Sequence, residues 1–396
     1  MANFTIATFN VKNLIGSGEE YYRFEQYTAE EYAWKQDWLA DQLMSLNADI
    51  TCFQEIFDEA PLAAVIAEAD RRGHLLNDAV VPGSDSPYRK KAIFRKLRYA
   101  PYGDAAVAFA PNLNDGEPGE RRPGVAVLSR FGFEGAPEVV QALDPALHIP
   151  FRELTGEDGG FYRLSRLSRP ILKVRIPVGG TVVTVFCVHF KSKLGEFLKP
   201  AGAPFAPEAD LVHYDPTGRA MGALRAGLRR MAEAWVLRRL VIAELDAGRP
   251  VMVLGDLNDG EHAVSSEIVS GEKPFVNYAW MRRHDATHAN DRYSQEEAEI
   301  IREQVERYRL HSAEKLFVSK SLRDMVYTSA FGGVYESIDQ ILMSRHFHPG
   351  YDNHIGEMEY FSVLNDHLTD GAHPEAPYNK LASDHGQIMA HIRMYD

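Results

Sequence analysis

The chain alternates short apolar runs with polar, turn-forming stretches, a pattern that is typical of strands in a layered protein of mixed α/β class. Phe4–Val11 alternates apolar and polar residues, as a half-buried strand does. Thr181–Phe190 is apolar on both faces, and together with Ile171–Ile176 it predicts a hairpin about Val178–Gly180. The other predicted strands are Asp49–Ile56, Ala105–Ala110, Gly124–Arg130, Val251–Leu254, Ser337–Ser344 and Gln387–Met394.

Helical signals lie between these runs. Thr28 and Glu31 have the spacing of a capping box, and Ser294 and Glu297 repeat it, so a helix is expected to begin at each place. The longest helical signal is Gly218–Leu245. In the helix that begins after Thr28, the apolar spacing predicts a face that packs against the core. The inward face would carry Trp34, Trp38, Leu39, Gln42, Leu43 and Leu46.

No repeat or linker divides the chain. We therefore predict one domain over residues 1–396, with loop and helix insertions, the largest at about 260–330. A polar loop is expected between the strand that ends at Ser344 and residue 380.

Polar groups recur where the predicted strands end. The clearest case is PVMVLGDLND, residues 250–259, where an apolar run stops at Gly255 and Asp256 and Asn258 follow. In a layered fold such strand ends converge on one rim, so residues far apart in the chain can line a single cleft. Carboxylate and amide oxygens suit a hard divalent cation, and histidines beside carboxylates suit proton transfer. The other strand-end groups are Asn10, Glu55, His189, Lys191, Lys193, Asp339, Asp384 and His385.

The net charge, the length of the apolar runs and the number of cysteines limit the classes of protein to which the chain can belong. A net charge of −13 argues against a protein that coats nucleic acid by charge alone. The sequence contains no run of the ~18 apolar residues that a membrane span needs, so we expect no membrane partner. Two cysteines in 396 residues, Cys52 and Cys187, make no disulfide framework and predict buried free thiols. With no secretion signal in the chain as written, a cytoplasmic location is expected.

The ordered motifs TFNVKNL, FQEI, LSR, SRP, VHFKSK, GDLND, IDQILMS and SDHG resemble the endonuclease/exonuclease/phosphatase superfamily. This is the fold of pancreatic-type deoxyribonucleases, abasic-site endonucleases and neutral sphingomyelinases, and the spelling is most like that of bacterial nuclease-type members. The resemblance covers nearly the whole chain. It implies a four-layer α/β sandwich, in which two mixed β-sheets pack face to face with helices outside both.

The resemblance also implies roles for individual positions. Glu55 would be the principal metal ligand, with Asn10 and Asp384 near the metal or the phosphate. Asp256 would orient and deprotonate the attacking water, and Asn258 would hold a phosphate oxygen. The expected cofactor is Mg²⁺ or Mn²⁺, as one or two ions, with Ca²⁺ as the alternative.

The remaining implied roles concern the phosphate and the leaving group. His385 would contact the scissile phosphate, and Asp339 would fix the tautomer of that imidazole. His189 would stabilise or protonate the leaving oxygen. Arg169 matches a phosphate-contacting arginine, and Lys191 is a further candidate for the phosphate.

Several charged groups also have a plain structural interpretation. Lys191 and Lys193 have the alternative role of solvated lysines that protect a sheet edge. The basic cluster at residues 89–98 is either a nucleic-acid rail or an exposed helix face. We interpret His284 and His288, and likewise His367, as structural rather than metal-binding.

The predicted function is a divalent-metal-dependent phosphodiester hydrolase, most simply a nuclease that cleaves DNA, RNA or both. Nucleic acid is then the expected partner, with no obligate protein partner. A phosphomonoesterase or a sphingomyelinase-like lipid phosphodiesterase is the alternative on the same core. A non-enzymatic binding module fits less well, because the motifs keep their polar residues.

Overall fold

The computed structural model of the 396-residue chain contains two six-stranded sheets that pack against each other. It describes residues 3–21, 25–78, 99–113, 122–150, 161–195, 216–274, 277–321, 326–369, 379 and 381–395. The basic cluster at residues 89–98 lies outside these ranges. No helix in the described ranges is both long and apolar enough to cross a membrane.

The first sheet, sheet A, has β1 and β2 as its central parallel pair. Antiparallel neighbours extend the sheet on both sides in the order β13-β14-β1-β2-β4-β3. Its strands are β1 Asn3–Leu14, β2 Ile50–Ile56, β3 Ala106–Ala110, β4 Gly124–Ser129, β13 Gly356–Leu364 and β14 Gln387–Met394.

The second sheet, sheet B, is also mixed and is built around the parallel pair β7 and β8. The strand order is β5-β6-β7-β8-β12-β9. Its strands are β5 Glu138–Pro150, β6 Phe161–Val178, β7 Thr181–His189, β8 Val251–Asp256, β9 Leu310–Ser312 and β12 Asp339–Ser344. A separate two-stranded hairpin joins β10, Ser329–Phe331, to β11, Val334–Glu336.

Helices cover the outer faces of both sheets. Apolar residues of α1 and α2 pack on sheet A, and those of α3 and α4 pack on sheet B. The helices are α1 Ala29–Leu46, α2 Glu59–Asp78, α3 Pro216–Asp246, α4 Val264–Ser270, α5 Gln295–Tyr308 and α6 Ala313–Ser321. The expected α/β sandwich of two packed mixed sheets flanked by helices is therefore confirmed.

The main core lies between the two sheets, where inward-facing side chains of both meet. It includes Ile50 and Val127 from sheet A and Val185 and Leu254 from sheet B, all completely buried. Burial of this kind contributes about 25 cal/mol for each Å² of apolar surface removed from water. The two cysteines are free thiols in this interior, as predicted.

Two sequence predictions are wrong, and one strand was not predicted. Trp34 is 39% exposed, whereas its neighbour Lys35 is completely buried on the inner face of α1. The segment from 345 to 380 is not a continuous loop, because β13 forms within it and pairs with β14. The strand β5, which pairs with an extended β6, was not predicted.

Candidate active site

One row of sheet B carries three of the predicted site residues. His189 pairs with Asp256 in the parallel β7–β8 register, and Asp256 pairs with Asp339 in the antiparallel β8–β12 register. All three side chains are buried. Gly255 makes this row possible, because a Cβ there would lie 1.9 Å from the carbonyl oxygen of Val188. Only glycine fits such a close approach of two strands.

Sheet A brings a second group of residues to the same place. Asn10 lies on β1, Glu55 lies on β2, and His385 comes just before β14. Glu55 has a φ of 65°, a left-handed conformation that is uncommon for a residue with a side chain. Its carboxylate accepts a hydrogen bond from the backbone N–H of Asn13 at 2.9 Å, which holds it towards the end of β1. Such local strain is often found at functional sites.

The Asn10 amide lies between the two groups. Its Nδ2 is 3.1 Å from Asp256 Oδ2, 3.3 Å from Glu55 Oε1 and 3.4 Å from His385 Nε2. Its Oδ1 accepts from the backbone N–H of Lys12 at 3.0 Å. The side chain is completely buried, so these contacts hold it in one orientation. Asn10 therefore connects carboxylates that belong to different sheets.

Asp256 accepts hydrogen bonds from several directions. Asn258 donates its backbone N–H to Oδ1 at 2.7 Å and its amide to Oδ2 at 3.2 Å, and His189 Nε2 lies 3.3 Å from Oδ2. Burial is the main cause that raises the pKa of Asp256 to about 7, while the His385 imidazole works against it and the Asp339 carboxylate adds to it. This carboxylate can exchange a proton near neutral pH.

The two imidazoles have opposite electrostatic environments. His385 Nδ1 lies 2.8 Å from Asp339 Oδ2. Burial alone would lower the pKa of His385, but the carboxylates of Asp339 and Asp256 outweigh it and raise that pKa well above 6.5. His189 is also buried, and burial together with the cation Arg169 lowers its pKa well below 6.5. At neutral pH, His385 favours the charged form and His189 the neutral form.

The donor set suits a divalent cation. Possible ligand atoms of Asp256, Asp339 and His385 lie within 4.8 Å of one another, although the imidazole is a ligand only in its neutral form, so the two carboxylates are the main donors. Asp339 Oδ1 is buried without a hydrogen-bond partner among the described residues, so it has a lone pair to offer. The Glu55 carboxylate lies on the other side of the Asn10 amide. Oxygen-rich groups of this kind fit Mg²⁺ or Mn²⁺.

Asp384 lies farther out than the other candidate ligands. Its side chain is 55% exposed, and Oδ2 is 3.8 Å from Lys12 Nζ. The ligands expected from the resemblance, Glu55, Asn10 and Asp384, thus differ from the cluster of Asp256, Asp339 and His385 that the geometry brings together. The two sets meet at the Asn10 amide.

The candidate phosphate-binding residues lie beside His189. Arg169 and Asn258 both donate to the carbonyl oxygen of Phe190, at 3.2 and 3.0 Å. Lys191 Nζ donates to the carbonyl of Leu194 at 2.9 Å, so in this conformation its ammonium group contacts a neighbouring loop. Lys193 is paired with Glu336 at 2.6 Å.

Two residues that contact the site were missed or set aside. His367, interpreted from the sequence as structural, lies with Nε2 3.0 Å from the carbonyl oxygen of His385. Lys35 was not singled out at all, because a lysine gives no sign in the sequence that it faces inward. Burial is the main cause that lowers its pKa to about 7. By contrast, His284 and His288 are exposed on the surface.

Comparison with known proteins identifies the family. Residues 7–385 match the sequence profile of the Endonuclease/Exonuclease/phosphatase family. The chain belongs to this family. Its members are generally divalent-metal-dependent hydrolases that act on phosphoester bonds. A comparison with curated proteins found no match.

Solved structures of the family are similar over the whole chain at low sequence identity. A family protein from Leptotrichia buccalis C-1013-b is 12% identical, with 99% of this chain and 100% of that chain covered and a TM-score of 0.46. The protein from Bacteroides vulgatus is 12% identical, with both chains covered to 100% and a TM-score of 0.46. Truncated Caenorhabditis elegans TDP2 is 13% identical, with 98% and 97% covered and a TM-score of 0.45.

Proposed function

We propose that this chain is a divalent-metal-dependent phosphodiester hydrolase that cleaves nucleic acid. The observation that carries the proposal is the buried array at the rim shared by the two sheets. There Asp256 is in contact with His189 and Asn10, and His385 is hydrogen-bonded to Asp339. A carboxylate base next to two imidazoles of different charge is suited to attack by water on a phosphodiester.

In this proposal Asp256 is the general base. It orients the attacking water and accepts its proton, while Asn258 holds the carboxylate through two hydrogen bonds. The pKa of about 7 leaves Asp256 partly protonated at neutral pH. A divalent cation nearby would favour the ionised form, because an opposite charge lowers the pKa of a carboxyl group.

The imidazoles would stabilise charge where it develops. Asp339 holds Nδ1 of His385, which leaves Nε2–H to donate to a phosphate oxygen. His189 favours the neutral form, so its proposed role is to stabilise the leaving oxygen by hydrogen bonding rather than by a full positive charge. Arg169 lies beside it as a further cation for the phosphate.

Asp339 and Glu55 are the carboxylates that would hold the cation beside Asp256, and the Asn10 amide links Glu55 to Asp256. When bound, the ion supplies positive charge to the oxygens of the phosphate. Because Asp384 is largely exposed, we propose for it a role at the outer edge of the site.

A polymeric substrate is supported by the β10–β11 hairpin beside the site. Phe331, Val334 and Tyr335 are 69%, 54% and 60% exposed on it. The residue just before the hairpin is hydrogen-bonded to a site residue, because Thr328 Oγ1 accepts a hydrogen bond from the backbone N–H of Asp339 at 3.1 Å. Exposed aromatic rings at a phosphodiesterase site can stack on nucleobases.

The test is a panel of substrates, each with Mg²⁺, Mn²⁺ or EDTA. It contains bis-p-nitrophenyl phosphate, p-nitrophenyl phosphate, supercoiled plasmid, linear duplex, single-stranded DNA and RNA. We expect EDTA-sensitive cleavage of the diester and of a nucleic acid, and Asp256→Asn purified in parallel excludes a contaminating nuclease. Hydrolysis of the monoester alone would replace the proposal with a phosphatase. Inactivity on every substrate would favour a binding module.

A lipid phosphodiesterase is the second candidate, and the same hairpin is the observation that favours it. Exposed apolar residues such as Phe331 and Val334 can also enter the interface of a lipid bilayer. Vesicles of phosphatidylcholine and sphingomyelin therefore belong in the panel. Release of phosphocholine from sphingomyelin, with nucleic acid left intact, would decide for this candidate.

A further inference from the structure

Lys35 is a buried lysine whose ammonium group is hydrogen-bonded to Val11 and Leu381. It lies on the inner face of α1, and its side chain is completely shielded from solvent. Lysine is almost never fully buried unless its ammonium group has partners, because removing that charge from water is costly. A chain that keeps a lysine in such a place gains something from the contacts it makes there.

The ammonium group has two described hydrogen-bond partners, and both are backbone carbonyls. Nζ donates to the carbonyl oxygen of Val11 at 3.1 Å and to that of Leu381 at 3.0 Å. The two acceptors are far apart in sequence, one near the end of β1 and the other just ahead of β14. The lysine therefore joins two segments that are remote along the chain.

Each of these segments carries site residues. Val11 directly follows Asn10, and it precedes Lys12 and Asn13, which both have positive φ angles of 53° and 55°. The backbone N–H of Asn13 in turn holds the Glu55 carboxylate at 2.9 Å. The position of the Val11 carbonyl is thus coupled to both the Asn10 amide and the Glu55 carboxylate.

The segment on the other side carries His385. Ser383 Oγ donates to the carbonyl oxygen of Asn10 at 2.6 Å and accepts the backbone N–H of His385 at 3.0 Å. Together with the hydrogen bond from Lys35 to Leu381, this makes a second link between the end of β1 and the turn before β14. The same two segments also meet at the 3.4 Å contact between Asn10 Nδ2 and His385 Nε2.

We propose that Lys35 is a positioning residue that holds the Asn10–Asn13 end of β1 against the Leu381–His385 turn. It thereby sets the separation of the Asn10 amide, the Glu55 carboxylate and the His385 imidazole. The catalytic consequence rests on the proposed phosphodiesterase function, whereas the consequence for the position of His385 does not. Lys35 contacts no substrate in this proposal and acts through the two carbonyls.

The test compares Lys35→Met, which keeps the length of the side chain but removes its donors, with Lys35→Arg, which keeps them. On bis-p-nitrophenyl phosphate at saturating Mn²⁺, we expect Lys35→Met to lower kcat about 10- to 100-fold, as loss of supporting contacts at such sites does. We expect Lys35→Arg to recover part of that loss. The matched control is Leu43→Ala, which removes a buried apolar side chain from the same helix and leaves both Lys35 hydrogen bonds in place.

An activity-independent measurement separates this proposal from the proposed function. The imidazole NMR signals of His385, assigned with His385→Gln, report its hydrogen bond to Asp339. We expect these signals to shift in Lys35→Met and in Ser383→Ala, but to stay in place in Leu43→Ala. A shift in a protein inactive on all esters would support the positioning role while the proposed function fails.

Three outcomes would overturn the positioning role. One is a folded Lys35→Met protein with wild-type kcat and unshifted His385 signals. Another is a loss of kcat that Leu43→Ala reproduces when both variants are equally folded by circular dichroism. The last is an additive effect of Lys35→Met and Ser383→Ala on kcat, because two links to one turn should be coupled. If Lys35→Met does not fold, Lys35→Leu, which also removes the donors, is judged by the same criteria.

Discussion

Asn10 and Asp256 lie 246 residues apart in the chain, yet the Nδ2 of one is 3.1 Å from the Oδ2 of the other. Asn10 belongs to sheet A and Asp256 to sheet B, so this contact joins the two sheets at the candidate site. Both side chains are buried, and a hydrogen bond to a carboxylate is strengthened where water is excluded. The geometry of the site therefore depends on how the two sheets pack together.

Replacing the proposed base should abolish turnover without unfolding the chain. We expect Asp256→Asn to lower kcat on bis-p-nitrophenyl phosphate by about 10²–10⁴-fold, because asparagine cannot accept the proton from water. Circular dichroism should match that of the wild type, since the two side chains have the same shape. Near-wild-type turnover in a folded Asp256→Asn protein would contradict the role of Asp256.

Loss of the hydrogen bond between Asp339 and His385 should lower the turnover rate. We expect Asp339→Asn to lower kcat about 10- to 100-fold, because an amide no longer fixes the tautomer or favours the charged imidazole. KM for the small diester should change less. If kcat is unchanged while the His385 NMR signals shift, the 2.8 Å contact is structural only.

The rate should depend on pH through Asp256. A general base works in its ionised form, so kcat/KM should rise with pH as this carboxyl group, with a pKa of about 7, loses its proton. More Mg²⁺ should move the midpoint of this rise to lower pH, because the cation favours the carboxylate. A midpoint that stays fixed over a wide range of Mg²⁺ would place the base away from the metal.

The β10–β11 hairpin should affect the cleavage of nucleic-acid polymers more than the hydrolysis of small esters. If Phe331 and Tyr335 stack on bases, replacing both with serine should raise KM for single-stranded nucleic acid about tenfold or more, since each stacked base contributes roughly 1–3 kcal/mol. Hydrolysis of bis-p-nitrophenyl phosphate should fall far less. Equal losses on both substrates would show that the change disturbs the site itself, and no loss on either would remove the hairpin from substrate binding.

The buried carboxylate of Glu244, which lies outside the candidate site, should contribute strongly to the free energy of unfolding. Glu244 on α3 lies 2.8 Å from Lys173 Nζ and 2.9 Å from Thr184 Oγ1. We expect Glu244→Gln to lower the free energy of unfolding by about 3 kcal/mol, because it removes the buried negative charge that pairs with Lys173, Arg175 and Arg249. Glu138 contacts the same lysine but is 51% exposed, so Glu138→Gln should cost about 1 kcal/mol or less.

The effect of Glu244→Gln should depend on pH in a definite direction. Burial would raise the pKa of Glu244, but Arg249, Lys173 and Thr184 outweigh it and lower that pKa from 4.5 to about 2. The stabilisation is therefore present above pH 4.5 and is lost as the pH falls towards about 2. Urea unfolding of both proteins at several acidic pH values should show the difference shrinking, and a constant difference would contradict the assignment.

Local signals in the sequence predicted much of the fold. Both capping boxes, at Thr28 and Ser294, begin helices as expected, because the cap is made within one turn of the chain. The central strands were also predicted, because a short apolar run such as Val251–Leu254 is typical of a buried strand. Most of the candidate site residues could be named in a similar way, from their places at the ends of such runs, whereas Arg169 was named from the resemblance alone.

What the sequence did not reveal depends on contacts between distant segments. On α1 the apolar spacing placed Trp34 inward, but the fold buries Lys35 because two backbone carbonyls accept its hydrogen bonds. The edge strand β13 was hidden because only part of it faces the core, so its pattern resembles a polar loop. The cluster of Asp256, Asp339 and His385 likewise requires the register of sheet B to bring it together.

The short strand β9 covers one edge of β12, so truncated versions of this protein should keep it. It lies within the 260–330 segment, and it pairs with β12 through Leu310, His311 and Ser312. Deleting the segment would leave the apolar strand that begins at Asp339 with one side unpaired, and an open strand of this kind invites other chains to add to it. A minimal catalytic core made by trimming this insertion should therefore aggregate unless the new edge is capped with charge or proline.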